Sequence, residues 1–337
     1  MTDVSLLFVS ILVISPGPAA ANPPPAATIV ASAASKSPLK QAEELVAQKD
    51  LHGATNLLWK NISQLDRVGL IYLSKLHRDK GEWGEVTRAT NIILSKTPRD
   101  EEAMTLLGEA QYRKAGKSSE AKETLQKVIE INRKYQPAYE ILAQIYEKNP
   151  YERRLLYQDM VEVFGPRPAF ITQLCALNAN DGENEQGTKY CQQGVEISPQ
   201  TPDNHVYLGI ISKQKEEFEA AKKLLKKAAI KFPSSEFAQF EYANILESDK
   251  SWLESNQFYE RCVSADGKSE RCWTGVGNSS LQLRKYNRSL EAFGKSCQIS
   301  GRKIAPTVRR AASIASQRKD LDWSEKLSRL AEKCSYF

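Results

Sequence analysis

Small residues recur along this chain at a fixed interval, each inside a stretch of apolar residues spaced three and four apart. Ser74, Gly108, Ala143, Cys175, Gly209, Ala243, Gly277 and Ala311 follow one another at separations of 34, 35, 32, 34, 34, 34 and 34 residues. A second, mostly small set runs Ala121, Gly187, Ala221, Ser255 and Ser289. A third set is large and apolar or cysteine: Leu125, Cys191, Leu225, Tyr259, Phe293 and Leu327. Prolines close units at Pro98, Pro166, Pro199 and Pro233. Spacing of three and four predicts amphipathic helices. A period of this length predicts a repeated pair of helices that buries its apolar face against neighbouring pairs.

Each column has a physical cause. Antiparallel helices approach closely only where side chains are small. The large column fills the space between a hairpin and its neighbours. Proline cannot continue a helix, so it ends each second helix. Turn signals fall between the two helices of a unit, as in Lys114-Ala115-Gly116-Lys117 and Asp181-Gly182-Glu183-Asn184. The pair Asn149-Pro150 forces an abrupt turn in the unit from 137 to 166.

The first residues do not follow this pattern. Leu6 to Ile14 reads LLFVSILVI, followed by Pro16-Gly17-Pro18 and Ala19-Ala20-Ala21. That order matches a secretory signal over residues 1–21, although Asp3 stands where a basic residue is usual. The stretch is shorter than the roughly 20 residues needed to span a bilayer. Residues 22–37 are rich in Pro, Ala and Ser and are expected to form a linker before a folded region over 38–337.

Composition narrows the class. Hydrophobic residues at 41% and charged residues at 26% suit a soluble folded protein and exclude a disordered one. The formal charge of +6 is spread out, with pairs such as Lys222-Lys223 and Lys226-Lys227 mixed with acids. A nucleic-acid binder would concentrate base on one face, so no nucleic-acid partner is expected.

The columns resemble the tetratricopeptide repeat family. The closest match is the unit carrying Tyr207, Leu208-Gly209, Phe218, Ala221, Leu225, Ala228 and Pro233. The four consecutive separations of 34 disfavour the slightly longer Sel1-like repeat. The resemblance covers residues 38–337 and implies an all-α solenoid, a right-handed superhelix of about nine hairpins. It weakens in the first unit and in the last, where Trp323 replaces the small residue. It also implies that the first helix of each unit lines a concave face. Side chains there not committed to packing include Tyr112, Arg113, Gln144, Lys213, Phe240, Asn244, Glu247, Arg271, Asn278 and Gln282. Asn244 and Asn278 are one period apart, suited to holding the backbone of an extended peptide. Lysines matching the carboxylate clamp of one family subgroup are missing from those helices, so that activity is not expected.

The register assigns the six cysteines. Cys175 lies in the small column and Cys191 in the large column of one hairpin, about equally far from its turn. They are expected to face each other at disulfide distance. Sequential pairing then gives Cys262–Cys272 and Cys297–Cys334, with Cys272–Cys297 as the rival. The other reading is six buried thiols in a reduced compartment. A zinc cluster is not expected, because no C-x2-C spacing occurs and only His52, His77 and His205 are present.

Catalytic constellations are missing. There is no G-x-S-x-G, phosphate loop, H-E-x-x-H or dinucleotide turn. The acidic run Asn180-Asp181-Gly182-Glu183-Asn184 lacks the ligand spacing of a calcium loop and reads as a turn. The sequence therefore predicts a non-enzyme without cofactor. It is expected to be a periplasmic or secreted scaffold that binds protein or extended peptide, touches membrane only indirectly, and serves an envelope assembly such as a pilus, secretion or motility machine. The alternatives are a cytoplasmic adaptor or co-chaperone, and a non-catalytic regulator of a cell-wall or glycan enzyme.

Overall fold

A computed structural model describes residues 36–114 and 118–336. The expected signal segment, most of the linker and part of the Lys114–Lys117 turn lie outside the described residues. Among the described residues there are eighteen α-helices and no strand. None of these helices is long and apolar enough to cross a membrane.

The chain divides into two compact units at Gln64/Leu65. The expected solenoid over 38–337 is thus one hairpin and, separately, an array of eight. The first unit holds α1 (Pro38–Ala47) and α2 (Leu51–Lys60), followed by a 3₁₀ turn at Ile62–Gln64. Helix α1 starts where Pro38 pre-sets the first turn and Ser37 Oγ accepts from the Lys40 amide (3.3 Å).

The second unit pairs α3 (Arg67–Asp79) with α4 (Trp83–Lys96), α5 (Glu101–Arg113) with α6 (Ser118–Ile131), and α7 (Gln136–Ile145) with α8 (Pro150–Phe164). It continues with α9 (Pro168–Asn180) and α10 (Asn184–Ile197), α11 (Pro202–Gln214) and α12 (Phe218–Lys231), and α13 (Glu236–Ser248) and α14 (Trp252–Ala265). Then come α15 (Glu270–Gln282) with α16 (Tyr286–Ser300), and α17 (Ala305–Gln317) with α18 (Leu321–Ser335). Consecutive pairing of this kind defines an α-solenoid.

Every member of the small column is buried, from Ser74 in α3 to Ala311 in α17. The large column meets it across the same hairpin. A Cβ on Gly108 would fall 2.7 Å from Leu125 Cγ, one on Gly209 2.6 Å from Leu225 Cγ, and one on Gly277 2.7 Å from the Phe293 ring. The large residues therefore seat on the bare backbone of their own hairpin partner, rather than only filling gaps between hairpins. The second column tightens the crossing further. Ser255 Oγ donates to the Ala243 carbonyl (2.9 Å), and Ser289 Oγ to the Gly277 carbonyl (2.8 Å). In the last hairpin Trp323 replaces the small residue and stacks on Tyr286, ring centroids 5.5 Å apart.

Hairpin turns form a column of their own. Lys49, Gly81, Gly182, Glu216, Lys250, Arg284 and Lys319 all have φ between 56° and 76°. In the turn after α13 the Ser251 amide donates to the Leu246 carbonyl and the Lys250 amide to the Glu247 carbonyl (2.9 Å each). That pattern closes a helix with one left-handed residue. The hairpin α7–α8 departs from it. Helix α7 is short and runs into a 3₁₀ turn at Tyr146–Lys148, and Asn149 has φ −125°. Pro150 sterically excludes the helical region for Asn149. Asn149 instead caps α8, its Oδ1 accepting from the Glu152 amide (3.3 Å).

Two stability predictions follow from these crossings and turns. Gly277→Ala would drive a methyl into the rigid Phe293 ring and is expected to lose about 1–3 kcal/mol in urea unfolding. Phe293→Leu in the same chain should recover part of that loss; additive losses would refute the crossing as the cause. Lys250→Gly should remove a left-handed penalty of about 1–2 kcal/mol, offset by about 0.5–1 kcal/mol of extra unfolded-chain freedom. The expected result is a modest rise in the urea midpoint, and a fall would contradict it.

Candidate functional site

The first helix of each hairpin carries the side chains singled out as a partner surface, and they fall into two groups. The C-terminal group lies on α11, α13 and α15. Arg271 at the start of α15 pairs with Glu236 on α13, its Nε 2.7 Å from Oε1. The same guanidinium lies 4.4 Å from the Phe240 ring centroid and 5.6 Å from that of Phe237. Tyr207 meets Phe237 edge to face at 5.2 Å, and Phe240 lies 5.9 Å from Tyr259. The result is an aromatic strip bridged by one cation.

Several predicted groove residues prove to be engaged within the array. Glu247 accepts from Tyr259 Oη (2.6 Å). Gln282 Oε1 accepts from Arg318, the residue that caps the C-terminus of α17. Lys213, Phe240, Asn244 and Asn278 are half-buried along the same helices. Residues that the sequence did not place in the groove complete the strip: Tyr207, Phe237 and Glu241. Burial pushes the Glu241 carboxyl above the usual range, against the pull of Arg271 and Lys213 and a hydrogen bond from Asn244. Glu236 behaves oppositely. Burial pushes it up, but Arg271 and Ser269 outweigh that and hold it below the usual carboxylate range.

The N-terminal group gathers around a cavity of about 640 Å³ beside the irregular hairpin. Tyr112 Oη on α5 donates to the Gln144 carbonyl, and Arg113 Nη2 donates to Gln144 Oε1 (3.3 Å each). Three residues predicted from the sequence thus meet on its rim. Other lining residues were missed, among them Arg153, Tyr157 and Met160 on α8 and Phe170 and Gln173 on α9. The available signal was Asn149-Pro150, where α7 ends early in a 3₁₀ turn and α8 starts.

The cysteines pair as 175–191, 262–272 and 297–334, and none is left free. Their Cα atoms are 4.7, 5.7 and 5.4 Å apart. Cys175 and Cys191 occupy the small-on-large crossing of α9 and α10. Cys262–Cys272 joins α14 to the next hairpin, and Cys297–Cys334 joins α16 to α18. Glu236 Oε1 stands 3.1 Å from Cys272 Sγ and 3.9 Å from Cys262 Sγ. The two sulfurs beside Glu236 would suit a soft metal only as thiolates, yet they are joined to each other and Glu236 is held by Arg271.

The comparisons agree with this architecture. The family model of the tetratricopeptide repeat matches residues 101–135, spanning the α5–α6 hairpin. The same register of small, large and turn residues runs through the neighbouring hairpins, and the fold is that of tetratricopeptide repeat proteins. Among solved structures, a tetratricopeptide repeat protein from Parabacteroides merdae is similar at 14% identity and a TM-score of 0.54, over 78% of this chain and 97% of that one. The Cut9–Hcn1 hetero-tetramer of the APC/C gives 13% identity and a TM-score of 0.49, over 83% of this chain and 55% of that one. The MamA protein gives 21% identity and a TM-score of 0.43, over 48% and 90%. No curated protein sequence matches the chain.

The raised Glu241 carboxyl generates a pH prediction. Its native state binds the proton more tightly than the unfolded chain, so stability falls as pH rises through the raised value. Glu241→Gln removes that term. The variant should show a higher urea midpoint at neutral pH and a flatter profile between pH 4 and 8. Identical profiles for the two proteins would refute the assignment.

Proposed function

We propose that this chain is an extracytoplasmic scaffold whose first-helix face takes an extended segment of a partner protein, within an envelope assembly such as a pilus, secretion or motility machine. The observation that carries the binding reading is the strip of Tyr207, Phe237, Phe240 and Arg271, flanked by the half-buried Asn244 and Asn278. Aromatic and arginine side chains dominate protein-binding surfaces because they bury large areas at low entropic cost. Peptide amides in such a groove would be met by the asparagine side chains. No catalytic role is assigned to any residue; repeats of this class generally act as non-catalytic scaffolds.

The extracytoplasmic part rests on the signal-like start and on six cysteines that fall into three pairs. Disulfides persist in oxidising compartments and are rare in the cytosol. In the chain-entropy account, each bridge stabilises by roughly 2–4 kcal/mol.

Two measurements test the two halves. Non-reducing peptide mapping of protein purified from its native cells should find the 175–191, 262–272 and 297–334 links. Six free thiols would sink the export reading and favour a cytoplasmic adaptor. A photo-crosslinking amino acid at Phe240 or Asn278 should trap one defined partner in those cells, whereas the same group at Lys223 on α12 should not. Equal labelling from both positions would count against the groove.

A further inference from the structure

The irregular hairpin leaves one guanidinium without a counter-ion. Arg153 rises from the first turn of α8 into the wall of the 640 Å³ cavity. Its Nη2 donates to the neutral Gln173 Oε1 (3.2 Å), and its guanidinium lies 5.8 Å from the Tyr157 ring centroid. Its Nε is shut off from solvent and has no hydrogen-bond partner. Nearby arginines are matched: Arg154 pairs with Asp181, and Arg133 with Asp159 and Glu162. No carboxylate pairs with Arg153 among the described residues. A buried donor left unsatisfied is costly, and more so when it carries charge.

The cavity around it has the size and mix of an anchoring pocket. Met160, Tyr157 and Phe170 supply apolar wall, and Arg113 adds a second cation at the rim. Arg113 is held by Gln144 and lies 5.8 Å from the Trp83 ring centroid, with no acidic partner among the described residues. Two carboxylates, Glu140 and Glu147, line the α7 side. An anion is therefore welcome at Arg153 and opposed at α7, which favours a segment with an acid beside a base.

We propose that this cavity binds an Asp or Glu side chain of a partner polypeptide, seated on Arg153 against Tyr157 and Phe170, with a neighbouring basic residue turned toward Glu140 and Glu147. This rests on the reading of the first-helix face as a binding surface, and it names the charge of what is bound. A guanidinium meeting a carboxylate makes charge-assisted hydrogen bonds, which the Nη groups of Arg153, not its enclosed Nε, are placed to supply from the cavity side.

The chain contains three methionines, and among the described residues only Met160 lines this cavity. Methyl-labelled methionine NMR on the full chain can therefore read the site, with Met104 on α5 as internal reference. The probe is the blocked peptide acetyl-Ala-Lys-Leu-Glu-Ala-amide, against the same peptide with Gln in place of Glu. Blocking both ends removes any terminal carboxylate. The expected result is a saturable shift of Met160, with Met104 unmoved, and binding about tenfold weaker for the Gln peptide, the scale of one charge-assisted pair. Arg153→Gln should abolish that preference while leaving the Met104 signal in its native position. Equal binding of the two peptides, or no Met160 shift at millimolar peptide, overturns the inference. The peptide pair gives this answer in the unmutated protein, whatever the folding of the variant. Crosslinking from Phe240 with no Met160 response would leave the scaffold reading standing and remove only this pocket.

Discussion

Everything in the array depends on how closely the two helices of a hairpin can cross. Where the first helix presents Gly, Ala, Ser or Cys, a large side chain from the second rests against its backbone. Gly108 under Leu125, Gly209 under Leu225 and Gly277 under Phe293 are the same contact repeated. That contact sets the separation of the helices and hence the spacing at which hairpins can stack. The hydroxyls of Ser255 and Ser289 work at the same crossing, binding the carbonyls of the small residues Ala243 and Gly277. The Cys175–Cys191 pair occupies this crossing too, so a covalent link replaces a packing contact without altering the register.

The architecture was legible because a close crossing constrains residue identity directly. A helix that must admit another backbone shows a small residue at that position, whatever surrounds it. The same logic extended to the cysteines, because the register told which positions face each other. The turn column was much harder to read. Glycine at 81 and 182 marks a left-handed residue, but Lys250 and Arg284 adopt the same backbone with no trace in their identity. There the hydrogen bonds of the closing turn override local preference.

The candidate site was legible in part, for a physical reason. Tyr112, Arg113 and Gln144 project from first helices, so the register found them. Arg153 lies on a second helix and looks like any solvated arginine in the sequence. Its setting depends on the path of the backbone after Asn149-Pro150, a property of three dimensions that periodicity cannot carry. Glu247 and Gln282 illustrate the reverse limit of a register. The register exposed them, while contacts from Tyr259 and Arg318 engage them.

The three cysteine pairs differ in what they tie. One lies within a hairpin, one between a second helix and the following first helix, and one between two successive second helices. All three fall after residue 174, while the irregular α7–α8 hairpin lies just before them, held by non-covalent contacts alone. With the pairs oxidised, the array is mechanically uneven. Under tension along the chain, the expected order of yielding starts in the unlinked hairpins before Cys175, and the segments enclosed by the bridges cannot lengthen until a bond is broken. A scaffold built this way would hold its C-terminal half in register under load, while the hairpins before Cys175 resist extension by non-covalent contacts alone.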